Sequence, residues 1–103
     1  MSVDYNGVLF RGFEIAPGTY ERLPDEVRED YVIYMDSYDY PEETELYFGI
    51  KVSECDCGSA TEVDIPHTFD VMSMDREILD AASKCEINTQ SLECKWYLGV
   101  RVW

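Results

Sequence analysis

Two hexapeptides decide the fold of this chain: YFGIKV at residues 47–52 and YLGVRV at residues 97–102. They match in residue type at every position, and each alternates around a central glycine, a pattern typical of a β-strand. A second pair, APGTY at residues 16–20 and IPHTF at residues 65–69, corresponds in the same order. The sequence therefore predicts one domain, residues 1–103, with an internal repeat of 3–52 and 53–103. The alternative is chance similarity between two ordinary strands.

The other elements are predicted around these strands. Strands extend over 45–52, 95–103 and 7–15, with short strands at 62–65 and 69–72. A helix is predicted over 74–86, capped by Ser73, because its apolar residues fall on one face. A second helix is predicted over 24–35, beginning at Pro24; segment 31–34 reads equally well as a strand, and the repeat favours the helix. Gly49 and Gly99 are predicted to lie where a helix crosses the sheet.

These elements predict an α+β fold: a mainly antiparallel sheet with one or two helices on one face, built from a duplicated strand–helix–strand unit. YFGIKV followed by IPHTF resembles the GyrI-like, AraC-type effector-binding domains. The resemblance implies two such units around a small-molecule cleft, and hence a sensor domain for cationic, apolar ligands. It identifies no binding residue, and this chain is shorter than typical members.

Charge narrows the range of partners. The 103 residues carry 22 acids and 8 bases, a net charge of -14, which repels nucleic acid and anionic lipid and favours basic partners. The content of 46% hydrophobic residues predicts a folded chain. The first residues do not pair a basic region with an apolar run, and no apolar stretch approaches the ~20 residues of a membrane-spanning helix. We expect a cytoplasmic protein that binds neither nucleic acid nor membrane directly.

Catalytic motifs are lacking, so we expect a binding protein and not an enzyme, with no cofactor and no metal. His67 is the one histidine, and no serine or cysteine forms a recognised nucleophile motif with it. The alternative to a protein without metal is a zinc site formed by Cys55 and Cys57 together with Cys85, Cys94 or His67. One residue separates the first two cysteines, whereas structural zinc ligands usually have two to four between them. The four cysteines are expected to be free thiols, and a Cys55–Cys57 or Cys85–Cys94 disulfide is the alternative.

An acidic tract is the sharpest functional signal. Residues 21–45 carry ten acids and two bases, so this quarter of the chain supplies more than half of the net charge. Carboxylates spaced along a surface can imitate phosphates and occupy the Arg/Lys groove of a nucleic-acid-binding protein, and tyrosines add contact area. The alternative is a solvated acidic face that keeps the protein soluble. The predicted partner-binding residues are Asp25, Glu26, Glu29, Asp30, Tyr34, Asp36, Tyr38, Asp39, Tyr40, Glu42 and Glu43.

The sequence thus predicts an acidic inhibitor that docks on a basic, nucleic-acid-binding protein by nucleic-acid mimicry. This profile has the general character of phage-encoded anti-restriction and anti-CRISPR proteins, without a motif match. The segment WYLGVRVW at residues 96–103 adds a prediction about self-association. As a central strand it would pack one face, Trp96, Leu98, Val100 and Val102, against helix 74–86; as an edge strand it would pair with a second copy. We expect a weak homodimer that tightens with salt.

Overall fold

The structure is a computed structural model that describes residues 5–35, 45–56, 58, 60–64 and 66–102. The elements in chain order are β1 (Tyr5–Ile15), α1 (Pro17–Glu21), α2 (Asp25–Tyr31), β2 (Val32–Met35), β3 (Glu45–Asp56), α3 (Thr68–Lys84) and β4 (Lys95–Val102). The four strands form one antiparallel sheet in the order β2-β3-β1-β4. The predicted α+β class is therefore confirmed.

The connectivity consists of two strand–helix–strand units, β1-α1-α2-β2 and β3-α3-β4, as in the split β-α-β arrangement. The two matching hexapeptides occupy different places in this plan. Residues 47–52 belong to β3, which begins the second unit, whereas residues 97–102 belong to β4, which ends it. The central strands of the sheet are β1 and β3, the first strand of each unit.

The helices pack on one face of the sheet. The core there is formed by Phe13, Ile15, Leu23, Val32, Leu46, Phe48, Ile78, Ala82 and Cys94, and Val27, Tyr31 and Leu79 pack against it. The predicted helix over 24–35 is half wrong, because the chain changes from helix α2 to strand β2 after Tyr31. Val32 and Ile33 are β-branched and pair with Phe48 and Tyr47 of β3, which favours a strand over another helical turn.

Helix α3 begins at Thr68, six residues before the predicted start, so the short strand predicted at 69–72 is wrong. The apparent alternation of that segment does not reflect a buried face, since Phe69 is 78% and Met72 58% exposed. The strand predicted at 62–65 is also wrong for residues 62–64, which have no regular structure, while residue 65 lies outside the described residues. At its other end α3 closes with a Schellman motif: Glu86 has φ 63°, and the backbone N–H of Ile87 donates to the carbonyl of Ala82 at 3.1 Å.

Glycines let the sheet coil tightly. Gly12 of β1 pairs with Gly49 of β3, and a Cβ on Gly12 would lie 2.1 Å from the carbonyl oxygen of Phe48. The edge strands β2 and β4 also contact each other, although edges of a flat four-stranded sheet would lie ~14 Å apart. The Met35 methyl closes this gap, since a Cβ on Gly99 would lie 2.3 Å from it. The prediction that a helix crosses at Gly49 and Gly99 is wrong: another strand approaches each of them.

The concave face of the coiled sheet has its own core. Val8, Phe10, Ile33 and Tyr47 are buried there, with Met35 and Tyr97 packed against them. The rings of Phe10, Tyr47 and Tyr97 form a cluster with centroids 4.8 to 5.2 Å apart. This face is filled by its own side chains, which counts against a small-molecule cleft on it.

A polar contact ties α3 to the sheet. Arg11 of β1 donates two hydrogen bonds to Asp75 of α3, from Nε at 2.5 Å and from Nη2 at 2.9 Å. The guanidinium also lies over the Trp96 ring, 5.2 Å from its centroid. Bidentate geometry of this kind fixes orientation as well as adding energy, so the contact sets the position of α3 along β1.

Strand β4 lies at an edge of the sheet and pairs, among the described strands, with β1 alone. The interpretation of β4 as a central strand that packs one face against the helix is therefore wrong. Leu98 is 81% and Val100 60% exposed, and Trp96 is 40% exposed. Helix α3 instead covers β1 and β3, which leaves an apolar strip along β4.

Candidate partner-binding surface

Helix α2 presents four of the predicted acids to solvent. Leu23 is buried just before the helix, and Val27 packs against the core, so one face of this short helix is fixed on the sheet. Asp25, Glu26, Glu29 and Asp30 are all exposed on the remaining faces. Within the described part of the chain only Asp25 of these four has an ion pair, with Arg28 at 3.6 Å. Glu26, Glu29 and Asp30 thus form no ion pair with the residues that the structure describes.

Arg28, a base inside the acidic tract, binds residues of helix α1. Its Nε donates to the carbonyl of Tyr20 at 3.2 Å and its Nη2 to the carbonyl of Glu21 at 2.8 Å. Its guanidinium also lies over the Tyr20 ring, 4.6 Å from the centroid. These bonds satisfy carbonyls at the C-terminal end of α1 and hold Arg28 in place, where it pairs with Asp25 alone among the four acids of α2 in the described part of the chain.

Tyr34, predicted as an anchor, is half-buried in β2. Its hydroxyl lies 2.5 Å from that of Tyr20, and the two rings meet edge to face at 5.7 Å. This contact joins α1 to β2, which gives Tyr34 a structural role. The other predicted residues, Asp36, Tyr38, Asp39, Tyr40, Glu42 and Glu43, lie outside the described residues.

Helix α3 contributes carboxylates that lie outside the acidic tract of residues 21–45. A groove of about 350 Å³ lies between α2 and α3, lined by Val27, Tyr31, Glu77, Asp80, Ala81, Lys84 and Cys85. Glu77 and Asp80 are exposed on its rim, and Lys84 pairs with Asp80 at 3.5 Å. The acidic surface thus spans two helices. In the sequence, Glu77 and Asp80 are three residues apart in a predicted helix. This spacing, which places both side chains on one side of the helix, was the one signal that they belong together.

Tyr31 forms the floor of this groove. Its ring stacks on buried Phe48, with centroids 5.4 Å apart and planes 7° from parallel. Burial raises the pKa of the Tyr31 phenol, and the carboxylates of Glu77, Asp30 and Asp80 raise it further. The ring is therefore fixed from below and surrounded by negative charge. An aromatic face with carboxylates at its edge is an arrangement that attracts a cation.

The remaining candidates are dispersed. His67 is an exposed residue at the N-terminus of α3, and its side chain does not cap the helix. Cys85 is half-buried and Cys94 buried, both as thiols, and Cys57 lies outside the described residues. Across the described ranges no three His, Cys, Asp or Glu side chains are grouped to hold a metal ion. Nor is any helix in those ranges long and apolar enough to cross a membrane.

Cys94 should resist alkylation in the folded protein. Burial raises the pKa of its thiol to about 11, with the Asp75 carboxylate adding to the shift, so the thiolate is scarce at about pH 8. Iodoacetamide labelling followed by peptide mass spectrometry measures this, with half-buried Cys85 as the internal control. We expect Cys85 to label first, and both to label in urea. Equal rates in native buffer would contradict the burial of Cys94.

Comparisons of the chain with protein-family models, with curated proteins and with solved structures gave no match.

Proposed function

We propose that this protein is an acidic inhibitor that docks on a basic, nucleic-acid-binding protein by imitating nucleic acid. The supporting observation is the two-helix acidic surface: exposed carboxylates of α2 beside those of Glu77 and Asp80 on α3. Neighbouring carboxylates on a helix lie ~5–6 Å apart at their Cβ atoms, close enough to act as a row of charges. Such a surface complements the phosphate-binding groove of its partner.

The energetics of α2 favour a role for these acids beyond solubility. Asp25 and Glu29, like Glu26 and Asp30, are four residues apart, and like charges at this spacing destabilise a helix by ~0.2–0.5 kcal/mol per pair. Asp30 also lies near the negative end of the helix dipole, where a base would be favoured. Asp25 and Glu26 lie in the first turn, where the dipole favours acids, so the unfavourable positions are those of Glu29 and Asp30, and solubility alone does not require acids there.

The proposal can be tested by competition. A panel of basic DNA-binding proteins, each bound to a fluorescent duplex, is titrated with this protein while anisotropy is recorded. We expect the duplex to be displaced from a susceptible member, with an affinity that falls about tenfold or more from 50 to 200 mM salt. The double variant Glu29→Lys/Asp30→Lys should weaken displacement about tenfold or more. Lysines near the C-terminal end of α2 suit the dipole, so the variant should fold.

The matched control is Glu62→Lys/Asp64→Lys, which changes the net charge equally on exposed residues outside regular structure. Neighbouring Val63 lies with Gly7 and Leu9, whereas α2 contacts β2 and β3. The control should displace duplex nearly as well as the wild type. Equal losses in both variants would show that total charge alone is responsible, and no displacement from any member of the panel would overturn the proposal.

A small-molecule sensor for cationic, apolar ligands is the second proposal. Phe10, Tyr47 and Tyr97 fill the concave sheet face, which counts against a ligand cleft on that face. The specific observation in its favour is the groove between α2 and α3, where Tyr31 and two carboxylates meet. Its volume lies at the lower end of the ~300–1,000 Å³ typical of ligand pockets.

We also propose that β4 mediates weak self-association. Its exposed Leu98 and Val100 lie on an edge strand, Lys95–Val102, whose sequence contains no acidic residue. Two copies can therefore meet at β4 without bringing acids together, and salt should tighten the dimer by screening the net charge of -14. Sedimentation at low and high salt measures this. Leu98→Glu should abolish the dimer, whereas Phe69→Glu, at another exposed apolar residue, should not; a monomer under both salt conditions would contradict the proposal.

A further inference from the structure

We propose that the groove between α2 and α3 is a socket for one arginine side chain of the partner. This inference rests on the proposed docking on a basic protein and names the contact that would give it specificity. The groove has an apolar lining, Val27, Ala81 and the Tyr31 ring, below two carboxylates, Glu77 and Asp80. An arginine has the same division, with an aliphatic stem and a charged, planar head.

The geometry favours arginine over lysine. Because Phe48 occupies one face of the Tyr31 ring at 5.4 Å, a guanidinium can stack only on the other face. Its fork of donors can then reach the rim carboxylates while it remains stacked. A lysine ammonium is compact and strongly hydrated, so it would gain the charge attraction but little of the stacking.

Lys84 occupies part of the socket in the free protein. Its Nζ lies 3.5 Å from Asp80 across one helical turn, and both side chains are largely exposed. An incoming guanidinium would displace this weak pair, since exposed pairs of this type contribute little to stability. Lys84→Ala should therefore strengthen arginine binding, by about two- to threefold.

The test uses calorimetric titration with two peptides of equal length, oligoarginine and oligolysine. For the wild type we expect the arginine peptide to bind about tenfold more tightly. Tyr31→Leu should remove this preference and Tyr31→Phe should keep it, because the phenylalanine ring retains the stacking face. Thermal unfolding checks that each variant is folded. Glu77→Gln/Asp80→Asn, on exposed positions that should not disturb folding, supplies the second test and should weaken the arginine peptide about tenfold.

The control for that pair is Glu62→Gln/Asp64→Asn, which removes the same charge elsewhere. Equal affinity of the wild type for the two peptides, or equal losses from both neutralised pairs, would overturn the socket. The duplex competition is a separate readout: displacement that survives without an arginine preference would support mimicry and overturn the socket alone. An arginine preference without any displacement would support the socket and overturn mimicry.

Discussion

Gly49→Ala is expected to lower the free energy of unfolding by about 3 kcal/mol or more, a large fraction of the ~5–15 kcal/mol available to a small domain. The added Cβ would lie 2.0 Å from the carbonyl oxygen of Arg11 and 2.8 Å from the Cα of Gly12. Both are backbone atoms in the central pair of strands, so no side chain can move aside. The strands must separate, which opens the coil of the sheet. Urea unfolding followed by circular dichroism measures the loss.

Gly18→Ala is the matched control. A Cβ on Gly18 meets no atom within 4 Å, and the residue lies inside helix α1, where alanine is favoured over glycine. We expect this variant to be unchanged or more stable by up to ~1 kcal/mol. If Gly49→Ala unfolded at the same urea concentration as Gly18→Ala, the close approach of β1 and β3 at the glycine pair would be refuted.

Phe48→Ala is the second large effect, with an expected loss of about 3–5 kcal/mol. Its side chain is completely buried on the helix side of the sheet. There it stacks with Phe13 at 5.6 Å and with Tyr31 at 5.4 Å, so the substitution leaves a cavity between two rings. Denaturant unfolding gives the magnitude, and the near-ultraviolet dichroism of the tyrosines should change as Tyr31 loses its support.

The control is Phe69→Ala, which makes the same substitution at an exposed residue and so tests whether the loss of stability comes from burial. Phe69 is 78% exposed near the start of α3, so Phe69→Ala should change stability by no more than ~0.5 kcal/mol. Similar losses at Phe48 and Phe69 would mean that α3 and the sheet do not enclose Phe48.

The strands with strong alternation, β1, β3 and β4, were predictable because a local pattern of period two needs no knowledge of its neighbours. The body of α3 was predictable because its apolar residues recur on one face. The start of α3 was not, because the apolar residues Phe69, Val71 and Met72 imitate a strand pattern. β2 was assigned to a helix because it follows α2 without a turn residue and the repeat favoured a helix over the equally good strand reading. In both cases tertiary pairing decided between conformations that local preferences left nearly equal.

The acids of α2 were found from charge density alone, which requires no fold. Glu77 and Asp80 were missed because they join that surface only when α2 and α3 pack side by side on the sheet. The contact of Tyr34 with Tyr20 was not predictable, because Tyr20 comes from another element. The coiling of the sheet could not be predicted either, because it depends on Gly12 and Gly49 lying opposite each other. The register that places them there is set by the whole β1–β3 ladder.

The strand order also bears on how the chain folds. β1 precedes the other three strands in the chain yet lies inside the sheet, where Asn6 pairs with Asp56 on one side and with Arg101 on the other. Such distant pairings carry a high loop-closure entropy, so folding should be slower than that of a helical bundle of this size. During synthesis, Phe10 lacks its stacking partner Tyr97 until β4 has left the ribosome. The nascent chain is therefore a stronger candidate for chaperone binding than the finished protein.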